Sequence, residues 1–363
     1  MKNLIYSICF FAVGFLFLPS CNENVDMIDG FTETAVIYGL LDKSENTHFI
    51  KINRAFIGPG NWLEIAQIPD SSYFDQVDAT VTEFINGTQA RQWTLTDTII
   101  ENKDTEGAFY APTQKLYYFK TDASNPLNAS ATYKLHVSLN GGQFEVDGET
   151  DLVSGVTTSA DAQNYRFTFA DDPASYTQKG IAINVGNAHV VNTTLRVKFD
   201  EIDSGVDTVV RTFDWKLGES EVTPGAPKTF TMNGKSFYEL IRDRCNTSDQ
   251  NINKRRMQSI KVIVTAGAEE LYNYMVVNKP ASTLAQNKPT YTNLSVSEGH
   301  RVVGIFSSRY TYTIEKFYIN PSNTMLRMID AKSIIELCTG PISGSLFFCS
   351  QHPADNGQSY ACQ

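Results

Sequence analysis

Residues 78–100 read DATVTEFINGTQARQWTLTDTII, two alternating stretches on either side of Asn86-Gly87. A type I′ turn needs positive φ at both central residues, and Asn-Gly supplies it with the least steric strain, so this segment is strongly biased toward a β-hairpin. The same grammar recurs along the chain. TAVIYGLLD (34–42) and HFIKINRAFIG (48–58) flank the polar cluster KSENT. In the second run Phe49, Lys51, Asn53 and Ala55 alternate with Ile50, Ile52, Arg54 and Phe56, which gives period two and one greasier face. KLYYFKT (115–121) and ATYKLHVSLNGGQFEVDGET (131–150) continue the pattern around Asn140-Gly141-Gly142. Short strands separated by turn chemistry predict a β-sandwich over 33–152.

The stretch DLVSGVTTSADAQ (151–163) is small, polar and without periodicity, and reads as a domain boundary. Beyond it NYRFTFA, GIAINVGN, TTLRVKFDEID, DTVVRTFDWKL and SIKVIVTAG are again strand-like, predicting a second β-rich domain over 164–337. Two short helices interrupt it. Ser236-Phe-Tyr-Glu239 has the spacing of a capping box and starts a helix running to about Cys245. EELYNYMVV (269–277) is the second, closed by Asn278 ahead of Pro280. The fold class expected is therefore mainly β, a sandwich followed by a second β-rich domain with two helices, and then a cysteine-containing tail over 338–363.

The amino terminus sets the compartment. Lys2 begins an n-region, Leu4 to Leu18 is almost wholly apolar, and Leu18-Pro19-Ser20-Cys21 follows. This run resembles the lipobox of bacterial lipoproteins, which implies cleavage before Cys21 and acylation of its thiol. Residues 1–20 are then a signal peptide, and the polar, acidic 21–32 a tether. Acyl chains on Cys21 hold such a body on a membrane, because each buried methylene contributes about 0.8 kcal/mol. A formal net charge of −10 argues against nucleic acid and against anionic lipid as main partners.

An exported chain meets an oxidising compartment. With Cys9 lost in the signal and Cys21 acylated, Cys245, Cys338, Cys349 and Cys362 remain, an even set that predicts two disulfides in one of three connectivities. Their spacing with His352 fits no common zinc module, so no metal is expected. Asn233-Gly234-Lys235-Ser236 resembles the end of a phosphate loop, but Thr229 stands where that loop needs glycine. Asp200, Glu201, Asp203 and Asp207 crowd the turn at Ser204-Gly205 without calcium-loop spacing, and read as a solvated acidic turn. The five histidines are scattered, no G-x-S-x-G is present, and no residue set announces a reaction or a cofactor. The expectation is a non-catalytic chain. The loop GPGNWLEIAQIPDSSYFDQ (58–76) is the binding candidate, with Trp62, Tyr73 and Phe74 as its aromatic contacts, set against the alternative that it packs over the sandwich.

VIYGLLD followed by HFIKINRAF, the helix EELYNYM, and PTYTNLSVSEGHRVVGIFSSR (289–309) together resemble the Bacteroidota outer-membrane lipoproteins that carry domain of unknown function 4249. The resemblance implies an immunoglobulin-like first domain, a second β-rich domain and a partner such as a TonB-dependent receptor. It brings no catalytic residues. This chain departs from the family pattern in its widely spaced terminal cysteines. The function expected is that of a surface-exposed, outer-membrane-anchored accessory or binding subunit of a transporter or surface assembly, set against the alternatives of a surface hydrolase acting on glycan or peptide and of an adhesion or structural module.

Overall fold

The computed structural model describes residues 33–55, 61–107, 109–204, 207–279, 290–320, 322–323 and 325–362. Cys21, the signal segment and the tether lie outside them. The first half carries β1 (Thr34–Leu41), β2 (Thr47–Ala55), helix α1 (Trp62–Ala66), β3 (Val77–Ile85), β4 (Thr88–Thr94), β5 (Thr96–Ile100), β6 (Gln114–Lys120), β7 (Thr132–Leu139) and β8 (Phe144–Asp151). Strict alternation builds these strands. In β8 every second residue, from Phe144 to Thr150, is buried and its neighbours face solvent. Asn86 and Gly87 adopt φ of 51° and 77°, as the type I′ turn demands. Asn140, Gly141 and Gly142 also have positive φ where β7 turns into β8.

The second half carries β9 (Val156–Thr158), the small hairpin β10 (Ala170–Asp172) and β11 (Ser175–Tyr176), β12 (Gln178–Val185), β13 (Val190–Asp203), β14 (Thr208–Glu221), β15 (Lys228–Asn233), helix α2 (Gly234–Arg244), β16 (Ile252–Gly267), helix α3 (Glu269–Asn278), β17 (Leu294–Val296), β18 (Arg301–Phe317) and helix α4 (Ala331–Thr339). Among the described residues one eight-stranded sheet runs β14-β13-β16-β18-β1-β2-β6-β5. A five-stranded sheet, β17-β8-β7-β3-β4, covers one end of it, and the three-stranded β15-β12-β9 belongs to the other. Two cores result. One gathers Ile37, Ile50, Tyr133, Leu135, Phe144 and Phe306, the other Phe167, Phe169, Phe199, Phe237, Tyr238 and Ile260. The chain is mainly β, as expected.

Strand β18 joins the two bodies. Its first half pairs in parallel with β1, from Thr34↔Arg301 to Leu41↔Ser308, and its second half pairs antiparallel with β16, from Gly267↔Arg309 to Ser259↔Phe317. Gly304 makes the first pairing possible. Its φ is +111°, and a Cβ there would lie 1.8 Å from the Ile37 carbonyl oxygen. At the handover Ser308, fully buried, donates to the Asp151 carbonyl (2.6 Å) and accepts from Val153 N–H (3.0 Å). The boundary falls there: Leu152 belongs to the first core and Val153 to the second.

Several expectations change. The first sandwich is not confined to 33–152, because Leu294 and Phe306 return to complete its core. The tail 338–363 is no appendage: Cys338, Leu346 and Phe348 lie in the second core. Helix α2 begins earlier than the Ser236 box suggested, since Asn233 is the cap and its Oδ1 accepts from Ser236 N–H at 3.1 Å. Helix α3 matches closely. Helix α4 was unforeseen; Asp330 caps it through Lys332 and Ser333 N–H, and Ile334, Leu337 and Cys338 bury its inner face. Among the described residues one disulfide forms, Cys349–Cys362, whereas Cys245 and Cys338 are free thiols. Cys338 is buried in the second core and Cys245 is half-buried against it, and burial pushes both thiols up to about 12.

The acidic turn is also different. Glu201 and Asp200 are buried, and Glu201 bridges Arg255 (2.9 Å) and Arg211 (2.6 Å). Burial acts to raise the Glu201 carboxyl, but hydrogen bonds from Arg211, the Asn246 N–H and Arg255 hold it below the usual range. Arg255 in turn donates to the Leu346 and Asn246 carbonyls at 2.7 Å each, so every guanidinium nitrogen has a protein partner.

Candidate functional site

The outward face of β1 and β2 presents Val36, Lys51, Asn53 and Ala55. Alternation decides this: Ile50 and Ile52 point into the core, so their neighbours point out. Over that face lie α1, the tight turn Pro69–Ser72 and the β5–β6 connection, and between them a groove of about 430 Å³ opens. Leu63, Ala66, Phe109 and Tyr110 complete its apolar walls, with Lys103, Arg54 and Tyr73 at its polar margin.

Local hydrogen bonds fix these walls. Asn61 caps α1, accepting from Leu63 N–H at 3.1 Å while its amide donates to Glu64 at 2.9 Å. The Ser71 hydroxyl reaches the Ile65 and Ile68 carbonyls at 2.8 and 2.7 Å and folds the turn back on the helix. Tyr110 N–H donates to the Ala66 carbonyl at 2.9 Å, which ties the far connection to α1. Arg54 faces Glu33 at 4.0 Å and reaches the Ser71 carbonyl at 3.5 Å, so its charge is shared with an acidic neighbour.

Lys51 and Lys103 lack that compensation. Among the described residues Lys51 makes no side-chain hydrogen bond or ion pair. Lys103 donates to the Tyr110 carbonyl at 2.6 Å and lies 5.5 Å from the Phe109 ring centroid. Burial, and then repulsion from Lys51, hold the Lys103 ammonium below its ordinary value. The Asn53 Oδ1 is buried on the groove floor without a partner among the described residues. The arrangement is an apolar slot with a positive rim, suited to binding.

The aromatic trio divides. Tyr73 lines the groove, and its hydroxyl accepts from Lys115 N–H at 2.9 Å. It also borders a neighbouring cavity of about 390 Å³ that contains Asp70, Asp75 and Asp97. Phe74 is not a surface contact. It is 3% exposed and packs edge-on against Phe144 with ring centroids 5.8 Å apart, because the next residue along an extended chain points to the opposite face. Trp62 opens α1, and its side chain lies outside the described residues. The loop thus both packs over the sheet and forms one wall of the groove. Lys51, Lys103, Phe109 and Tyr110 were missed; only the outward phase of Lys51 in its alternating strand hinted at them.

Other polar clusters have structural partners. Ser350, His352 and Asp355 come together in the disulfide-closed tail, yet the Ser350 hydroxyl donates to Asp355 (2.6 Å) while His352 Nδ1 accepts from Ala354 N–H (3.2 Å). No nucleophile-to-imidazole hydrogen bond joins them among the described residues. Asp355 is also gripped by both Arg327 nitrogens at 2.7 and 2.8 Å. Glu83 is buried in the first sandwich and held by Arg91 and the Tyr133 hydroxyl. Every carboxylate with a resolved shift, including Glu83, Glu201, Glu315 and Asp355, is lowered. A pair with opposed shifts, the mark of a general acid beside a base, is not among the described residues. Nor is a group of three His, Cys, Asp or Glu arranged to hold a metal.

No family model matches the chain, and no curated protein matches it. Among solved structures it is similar to the C-terminal globular domain of an oligosaccharyltransferase from Pyrococcus abyssi, at 9% identity and a TM-score of 0.23. The match covers 62% of this chain and 44% of that one, and a likeness so slight carries no argument.

Proposed function

We propose that this chain is a lipid-anchored outer-membrane protein whose body faces the cell surface and captures a ligand for a membrane partner, such as a TonB-dependent receptor. The observation that carries this reading is the groove on the β1–β2 face, an apolar slot of about 430 Å³ with unneutralised lysines at its rim. That size falls within the roughly 300–1,000 Å³ of small-molecule sites. The first sandwich is read as the immunoglobulin-like binding module, and the anchor as acylated Cys21. Glu33, the residue that follows the tether, faces groove residue Arg54 at 4.0 Å. A twelve-residue tether (residues 21 to 32) reaches at most about 40 Å, which keeps the groove close to the bilayer.

The test has two arms. Cys21→Ala is expected to move the protein from the membrane fraction to the soluble fraction; retention in the membrane counts against the anchor. Mild detergent extraction of the acylated protein is expected to bring a transporter along, and recovery without any membrane protein counts against the accessory role.

A further inference from the structure

We infer that the groove takes an amphiphilic anion, its apolar chain or ring laid between Leu63 and Phe109 and its anionic head held by Lys51 and Lys103. This rests on the groove being the ligand site proposed above.

The two walls supply the first half of the argument. Leu63 is 66% exposed and Phe109 58% exposed, although both are large apolar side chains lining one slot. Covering them removes apolar area from water, which favours an apolar occupant. The rim supplies the second half. Lys51 on β2 and Lys103 on the β5–β6 connection approach from different elements, closely enough that Lys51 lowers the proton affinity of Lys103. Like charges drawn together repel in the free protein, and one anion placed between them relieves that repulsion. Lys103 commits one donor to the Tyr110 carbonyl and Lys51 none, so donors remain for a head group.

The nearby acids do not cancel this field. Glu33 faces Arg54, Glu64 accepts from Asn61, and Asp70 lines the neighbouring cavity instead. The whole chain carries a formal charge of −10, so a basic rim here is a local departure from the surface around it. A cationic amphiphile of the same length meets repulsion where an anionic one meets two ammonium groups.

The experiment is calorimetric titration of the full chain carrying Cys21→Ala, with octanoate, octan-1-ol and octylammonium as probes. Octanoate is expected to bind one to one, octan-1-ol more weakly, and octylammonium without saturation. Lys51→Gln is expected to weaken octanoate about fivefold, the scale of a partly exposed charge contact. Lys103→Gln should do the same, but it also removes the bond to Tyr110, so Lys51→Gln is the decisive variant. Phe109→Ala should weaken octanoate and octan-1-ol alike. Equal binding of all three probes, with sensitivity to Phe109→Ala, overturns the charge assignment and leaves the groove as the site. Absence of octanoate binding, or octanoate binding indifferent to both Phe109→Ala and Lys51→Gln, overturns the inference and the groove reading together.

Discussion

Replacing Gly304 by alanine tests whether one strand holds both bodies together. The new Cβ would lie 1.8 Å from the Ile37 carbonyl oxygen, far inside contact distance, at a φ of +111° that L-residues rarely adopt. Such a backbone conformation costs on the order of 1–3 kcal/mol for a non-glycine residue. Forcing β1 away from β18 also weakens neighbouring ladder hydrogen bonds, each worth about 1 kcal/mol. The expected loss is therefore about 3–5 kcal/mol. Gly299→Ala is the control. Gly299 also has positive φ, +85°, but its Cβ would meet nothing within 4 Å, so its cost should stay near 1 kcal/mol. Urea unfolding followed by tryptophan fluorescence separates the bodies, because Trp93 packs on the first core and Trp215 on the second. With Trp62→Phe as background, removing either remaining tryptophan leaves a reporter for one body. Both reporters should shift to lower urea in Gly304→Ala. A loss no larger than that of Gly299→Ala would refute the contact argument, and a shift confined to Trp93 would refute the coupling.

Three further outcomes follow from the cores. Glu201→Gln leaves the buried Arg255 guanidinium without its counter-charge and should cost about 3 kcal/mol in urea unfolding at pH 7; a loss below about 1 kcal/mol would contradict the buried-pair account. His48 is 2% exposed, and burial outweighs the upward pull of Asp42 to lower it to about 4 from 6.5. Its folded pKa is depressed, so it does not affect stability above pH 6.5 and destabilises as pH falls from 6.5 towards 4, by up to about 3 kcal/mol. His48→Gln should therefore flatten that part of the pH–stability curve relative to wild type; an unchanged slope would place the ring in water. Reducing Cys349–Cys362, which closes a loop with a sequence separation of 13, should cost about 3 kcal/mol, and iodoacetamide should label the buried Cys338 only after denaturation.

What could be read from the sequence was what local chemistry controls. Asn86-Gly87 and Asn140-Gly141-Gly142 dictated their turns through φ, and the small polar run at 151–163 marked the change of core, which falls between Leu152 and Val153. Long-range pairing was not legible. Nothing in HRVVGIFSSRYTYTIEKF says that its first half pairs with residues 34–41 and its second half with residues 259–267. Glu201 looked like a turn acid because its partners, Arg211 and Arg255, lie 10 and 54 positions away. The groove follows the same logic. Tyr73 was identified from its loop, but Phe74 beside it turned inward, and the Lys51–Lys103 rim depends on the β5–β6 connection folding back over β2. Cysteine parity also misled, because Cys245 and Cys338 are free thiols packed at the second core.

The most direct measurement is hydrogen exchange by mass spectrometry on the Cys21→Ala chain, with and without saturating octanoate. The account predicts added protection in peptides from 51–55, 61–73 and 103–112, and none in the second body. Protection centred on residues 164–288, or no change at the groove when octanoate is bound, would contradict the claim that this protein captures its ligand on the β1–β2 face.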